Sequence, residues 1–176
     1  MKSLEMCPSG ISGIGVFAAE EIKKGEIIVV MTGEVVDIDE MRLRRAAGEA
    51  KLMKGLKVDH PREIRPDDPF QIEERKFLLL DDILNHINHS CDPNGGIRKE
   101  RELFALRDIH KGEEVTYDYS TIVGDHAIHW IMRCGCGSNI CRHEIKNWTS
   151  LPSNRLKYYK ERGAFPDWIL VQMDKK

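Results

Sequence analysis

Three cysteines crowd into the segment Cys134-Gly-Cys136-Gly-Ser-Asn-Ile-Cys141. Soft sulfur ligands this close suit a tetrahedral zinc and leave one position to fill. Cys91, distant in sequence, is the first choice for that position. His143 is the second, and Cys7, in what reads as a loose N-terminal end, is the third. The cysteine total is five, an odd number. In a reducing compartment this pattern favours a metal over disulfides. A zinc that ties Cys91 to the later three would support a neighbouring site structurally and take no part in its chemistry.

A second constellation is Asn88-His89-Ser90-Cys91-Asp92-Pro93-Asn94. It is too polar for a core strand, although it follows the apolar run 78–84 directly, so specific partners must satisfy its side chains. Pro93 pushes Asp92 toward an extended backbone and Asn94-Gly95-Gly96 reads as a turn, which gives the cluster a defined, nonhelical shape. His86 and His89 lack the helix and carboxylate that would make them a metal pair. In the strand expected over 114–119, Tyr117 and Tyr119 fall on one face with Asp118 on the other. Two adjacent phenols can line a narrow slot with a polar tip. Gly13-Ile14-Gly15 lacks the third glycine and the following helix of a dinucleotide fingerprint, which leaves a place where backbone closely approaches a ligand.

These groups need elements to hold them. Strands are expected at 14–18, 26–31, 70–72, 76–80, 102–106 and 114–119. A helix capped by Asp39 is expected over 39–53, a loop rich in proline and charge over 59–69, and a second helix over 153–162 stopped by Gly163. The apolar segment 168–171 should pack back on the domain. Glu21-Ile22-Lys23-Lys24-Gly25-Glu26 is echoed by Asp108-Ile109-His110-Lys111-Gly112-Glu113, each copy a turn that precedes a strand. With 176 residues, 41% of them hydrophobic, the chain is expected to form one core with appendages. A net charge of -2 gives no basic field to draw it onto nucleic acid, and a basic peptide partner would need a local acidic surface. The N-terminus lacks the apolar stretch of a signal peptide and no run is long enough to cross a bilayer. The expected location is intracellular, with the cytoplasm first and the nucleus as the alternative.

Taken in order, Gly13-Ile14-Gly15-Val16-Phe17-Ala18, the 88–94 cluster, Gly112-Glu113-Glu114-Val115-Thr116-Tyr117-Asp118-Tyr119 and the triple-cysteine segment resemble the SET-domain lysine methyltransferases that carry a post-SET segment. The likeness runs over roughly 13–146. It implies a mostly β (α+β) fold of small curved sheets, the β-clip, with short peripheral helices and the 88–94 segment threaded in knot-like fashion beneath the strand that ends at Tyr119. It implies a SET domain over 1–125, a post-SET zinc segment over 126–148 and a helical tail over 149–176. By the same resemblance, S-adenosylmethionine lies against Gly13, Ile14, Gly15, Asn88, His89 and Tyr119. The lysine of a protein or peptide, histone or non-histone, enters from the opposite face. Tyr119 matches the catalytic tyrosine. Tyr117 stands where the family sets how many methyl groups fit, and a tyrosine there implies mono- or dimethylation. The family's zinc uses a cysteine at the Cys91 position with Cys134, Cys136 and Cys141. A catalytically silent binding module on the same scaffold is the alternative, and the retained Tyr119 and Asn88-His89 pair argue against it.

Overall fold

Short apolar runs separated by glycine and charged turns cannot build one broad sheet, so the chain pairs them in small sets. In the computed structural model, which describes residues 1–54 and 70–175, the strands and helices follow in this order. They are β1 (Leu4–Pro8), β2 (Ile14–Ala18), β3 (Ile27–Val30), β4 (Gly33–Asp37), α1 (Ile38–Met53), β5 (Phe70–Glu73), β6 (Lys76–Leu80), β7 (Asn88–His89), β8 (Gly95–Arg98), β9 (Glu102–Ala105), β10 (Thr116–Tyr117), β11 (Met132–Arg133), β12 (Glu144–Ile145), α2 (Ser153–Glu161) and α3 (Asp167–Asp174). Four small antiparallel sheets result, ordered β1-β2, β3-β9-β8, β4-β6-β5 and β11-β12, and β10 pairs with β7 in parallel. This is the mostly β architecture expected. The loop expected over 59–69 lies outside the described residues.

The sheets close over one core that includes Val16, Ile22, Ile28, Leu78, Ile97, Leu103 and Ile109. A second core joins Phe104 and Leu106, at and just after the end of β9, to Trp148, Tyr159, Phe165 and Ile169 of the C-terminal part. Fully burying side chains of this size contributes about 1.5–3 kcal/mol each. The segment 168–171, expected to pack back, does so as part of helix α3, and the Trp148 indole N–H donates to Gln172 on that helix.

The repeated turn has a structural meaning. Ile22 and Ile109 face each other and exchange both backbone hydrogen bonds, at 2.9 and 2.8 Å. The acid that opens each copy then accepts from the other copy: Glu21 from the Lys111 N–H at 3.1 Å and Asp108 from the Lys24 N–H at 2.8 Å. Gly25 and Gly112 take matching left-handed φ values of 86° and 82°. The two copies thus form a reciprocal clasp.

Four local expectations need correction. Helix α1 is capped by Asp37, whose Oδ1 accepts the N–H groups of Asp39 and Glu40, so Asp39 lies inside the helix. The N-terminal end is strand β1, paired along its length with β2 and carrying Cys7 opposite Gly15. Only Thr116–Tyr117 of the 114–119 segment pairs as strand β10, because Asp118 caps a 3-10 turn at Tyr119–Ile122. Gly95 and Gly96, read as a turn, belong to β8, where the missing Cβ lets backbones meet: a Cβ on Gly95 would stand 2.8 Å from the Thr116 carbonyl oxygen.

That carbonyl cannot yield without breaking the site's central pairing. Gly95→Ala is therefore expected to lower unfolding stability by about 1–3 kcal/mol, read from the urea midpoint. Gly10→Ala, at a position where a Cβ meets nothing within 4 Å, serves as the control. Equal stability of the two variants would contradict this packing.

Candidate active site and cysteine centre

The site begins with Asn94, which is only 2% exposed. Its Oδ1 accepts the Thr116 N–H at 2.9 Å, and its Nδ2 donates to the Glu114 carbonyl at 2.8 Å and to Glu113 Oε1 at 3.1 Å. One side-chain amide thus does the work of a ladder rung, holding the segment after Pro93 against the one that enters β10. Beside it the Ser90 N–H donates to the Tyr117 carbonyl at 3.2 Å, and β7 lies parallel to β10 with Asn88 opposite Thr116 and His89 opposite Tyr117. The polar cluster judged unfit for a core strand is buried except at Asp92, and two of its residues form a strand. Its side chains find polar partners, so the burial penalty is offset. Of the doubled Asn-His pairs, Asn85 and His86 lie in the 3-10 turn Asp82–His86, and Asn88 and His89 take the strand.

Asn88 joins this crossing to the glycine turn. Its Nδ2 lies 3.1 Å from the Ser12 carbonyl, 3.2 Å from the Ile14 carbonyl and 2.8 Å from Glu114 Oε1. Ser9 Oγ donates to the same Glu114 carboxylate and accepts the Ile11 N–H, which stitches the loop before Gly13. A Cβ on Gly15 would overlap that carboxylate, while Gly13, at φ 49°, and Ile14 are exposed. Sequence reasoning missed Ser9 and Glu114. Both are ordinary polar residues far apart in the chain, and no spacing signals their contact.

His89 lies on the other side of Asn88. Its Nδ1 accepts the Tyr119 N–H at 3.1 Å, so the proton of the neutral ring sits on Nε2, 3.3 Å from Cys91 Sγ. Burial drives its pKa down to about 4, and nearby Arg142 adds to that, although Asp118 opposes it. The 3.6 Å approach of Nδ1 to the Asp118 carboxylate is therefore not an ion pair at neutral pH. The Tyr119 hydroxyl donates to the Ile87 carbonyl at 2.8 Å. Its ring lies 5.3 Å from His89 and 4.9 Å from Tyr117, centroid to centroid. The two phenols are neighbours as expected, although Tyr119 sits in a turn and not on the strand. The glycine turn, Asn88, His89, Tyr117 and Tyr119 therefore form one connected group.

The sulfurs of Cys91, Cys134, Cys136 and Cys141 lie within 4.8 Å of one another. The Cys134 sulfur is 3.7 Å from both Cys91 and Cys141. Metal–sulfur bonds of about 2.3 Å in a tetrahedron place sulfurs about 3.8 Å apart, so the four can hold one metal ion. Cys91 completes the group. His143 Nδ1, 3.9 Å from Cys141 Sγ, stands outside it, and Cys7 is on β1. Burial raises the Cys91 and Cys134 thiols. Burial would also raise Cys136, but the Cys91 N–H and the Ser138 hydroxyl and N–H outweigh it and bring that thiol down to about 6. The Arg142 N–H and His89 Nε2 both approach Cys91 Sγ at 3.3 Å, an arrangement that suits a thiolate.

The family described as SET domain matches residues 13–120. The histone-lysine N-methyltransferase trr of Drosophila melanogaster is 31% identical over 144 residues, covering 76% of this chain and 5% of that protein. The variant-silencing SET domain-containing protein of Plasmodium falciparum is 34% identical over 135 residues, covering 68% of this chain and 5% of its own length. The putative histone-lysine N-methyltransferase ASHH4 of Arabidopsis thaliana is 29% identical over 160 residues, covering 82% of this chain and 40% of the relative. Among solved structures, a chain of the Chaetomium thermophilum Polycomb Repressive Complex 2 bound to GSK126 superposes with a TM-score of 0.54 at 26% identity, over 69% of this chain and 16% of that one. This chain therefore spans only a small part of the relatives it matches.

A lowered histidine pKa means that the folded state binds the proton more weakly than the unfolded chain. The stability contributed by neutral His89 is present above about pH 6.5 and is lost as pH falls toward about 4. An NMR titration of the His89 ring in the metal-free protein should accordingly show its midpoint well below the ordinary histidine value. A midpoint near the ordinary histidine value of about 6.5 would contradict the tautomer and burial described.

Proposed function

The chain belongs to the SET-domain family, and on that premise we propose that it is a protein-lysine N-methyltransferase that uses S-adenosylmethionine. The observation that carries this reading is the convergence of the glycine turn, Asn88, His89 and Tyr119 on one hydrogen-bonded group. The exposed residues Gly13 and Ile14 beside the buried Asn88 suit a cofactor with polar ends. In this assignment Gly13, Ile14, Gly15, Asn88, His89 and Tyr119 hold the cofactor, which when bound supplies an electrophilic methyl group on a sulfonium. The alternative of a silent scaffold is not favoured, since two of the three relatives are named as methyltransferases.

The residues of this chain have two tasks. The first is to present a neutral amine. A lysine with a reference pKa near 10.4 gives up its proton at pH 7 at a cost of roughly 4–5 kcal/mol. An amine brought against Tyr117, which is buried, and Tyr119, half-buried beside it, would lose water, and that disfavours its charged form. The second task is alignment. Holding two reacting groups in line contributes up to about 7–11 kcal/mol in well-oriented systems. The Tyr119 O–H donates to the Ile87 carbonyl, so its oxygen remains an acceptor for the amine's N–H. That gives Tyr119 a geometric and electrostatic role. Tyr117 would limit the space for added methyl groups, which implies mono- or dimethylation, and the mass of the product reads this directly.

Zinc is the metal we assign to Cys91, Cys134, Cys136 and Cys141, as a structural ion. The substrate is a lysine-bearing protein or peptide, with histones first because the relatives' names speak of them. That reading implies the nucleus and replaces the cytoplasm expected from the sequence. Among the described residues, no helix is long and apolar enough to cross a membrane. The division into a SET domain over 1–125, a zinc segment over 126–148 and a tail over 149–176 is part of the proposal.

Labelling a cell lysate with tritiated S-adenosylmethionine and the purified chain should mark lysines, identified by mass spectrometry. Tyr119→Phe is expected to lower methyl transfer at least about a hundredfold while leaving cofactor affinity within a few-fold. A variant as active as wild type would remove the catalytic assignment. Elemental analysis should find one zinc per chain, lost in Cys91→Ser, and undiminished zinc in that variant would redirect the fourth ligand to His143.

A further inference from the structure

Asp118 stands between the two tyrosines and points away from them into the protein. Its side chain is fully buried. Oδ1 accepts from Arg142 Nη2 at 2.6 Å and from the Ser120 N–H at 3.1 Å, and Oδ2 accepts the Tyr159 hydroxyl at 3.0 Å. Arg142 follows the last cysteine of the centre. Tyr159, 1% exposed, belongs to α2, beyond the segment that the family match covers. Tyr159 accepts in turn from Arg155 Nη2 at 2.9 Å, and the Arg155 guanidinium lies over the Tyr158 and Tyr159 rings and 3.4 Å from Asp92. Helix α2 therefore touches both segments of the crossing, at Asp92 just after Cys91 and at Asp118 just before Tyr119.

The Ser120 N–H is an unpaired donor of the turn Tyr119–Ile122, and its bond to Asp118 caps that turn. The cap fixes the backbone from which the Tyr119 ring projects. A carboxylate removed from water holds one orientation only while donors on both oxygens define it. Arg142 and Ser120 define one oxygen, and Tyr159 defines the other.

We propose that Tyr159, together with Arg142, is a positioning residue for Tyr119, so that helix α2 sets the orientation of the tyrosine through the buried Asp118 carboxylate. This rests on the reading of Tyr119 as the catalytic tyrosine. Tyr159 touches neither substrate nor cofactor in this scheme, and the tail is a working part of the site. Burial and the adjacent Asp118 hold Tyr159 well above the usual tyrosine range, so it remains a donor at any pH at which the protein works.

The test uses the full chain labelled with nitrogen-15 and the variant Tyr159→Phe, which keeps the ring and deletes the hydroxyl that donates to Asp118 and accepts from Arg155. Amide hydrogen exchange at Tyr119 and Ser120 should speed up about tenfold, while Ile97 and Leu103 exchange as in wild type and show that the fold persists. With core histones as substrate, kcat should fall about tenfold and KM for S-adenosylmethionine should stay within about twofold. Val171→Ala, on the exposed side of α3, should match wild type in both measurements. Unchanged exchange at residues 119 and 120 in Tyr159→Phe overturns the proposal, and so does faster exchange with unchanged kcat. Full activity in Tyr119→Phe would instead defeat the catalytic reading of that residue, and exchange would still report whether α2 holds the turn.

Discussion

The buried amide of Asn94 is the interaction on which the rest of the site depends. It accepts the Thr116 N–H and donates to the Glu114 carbonyl, and so locks a segment entering from Pro93 against one leading to Tyr119. Only with that crossing in place can β7 and β10 run in parallel over two residues, too few for a ladder to sustain itself. Everything proposed for catalysis hangs from this short pair. Asn88 turns from it toward the glycine turn, His89 toward the Tyr119 N–H, and Ser90 is fixed to the Tyr117 carbonyl.

Burying so many polar groups is costly unless they satisfy one another, and here they do so in a chain. Ser9 and Asn88 share the Glu114 carboxylate. Arg142 and Tyr159 share that of Asp118. His89 is kept neutral by burial, and its two nitrogens face the Tyr119 backbone and the Cys91 sulfur. The cysteine centre therefore braces the site from behind through Cys91, and the tail does so through Asp118. A cysteine cluster and a peripheral helix acquire functional weight by this route, since the proposed positioning of the Tyr119 ring draws on both.

The sequence made local chemistry legible and long-range polar contacts illegible. Cysteine spacing announced a metal-type cluster, and the Cys91 sulfur lies beside the other three. Hydrophobic runs located most strands, and the order of four motifs indicated the family. The strand β1 went unseen because its residues are mostly exposed and lack a clear alternation. Gly95 and Gly96 signal a turn in most contexts, and only the nearness of Thr116 and Ala164 explains them as strand residues. The strand expected to run to Tyr119 stops at Tyr117 because Asp118 offers its carboxylate to the Ser120 N–H, a local competition that hydrophobic period does not register. Ser9 with Glu114, and Asp118 with Tyr159, join residues 105 and 41 positions apart, and nothing in either stretch alone points to the other.

The central claim is that the glycine turn, the Asn88-His89 pair and Tyr119 surround one cofactor. An NMR titration of the full chain with S-adenosylhomocysteine measures this most directly. Binding should shift the amides of Gly13, Ile14, Gly15, Asn88, His89 and Tyr119 together, along one saturation curve. Saturable binding that leaves these six amides unmoved, or that shifts a separate surface, would contradict the account.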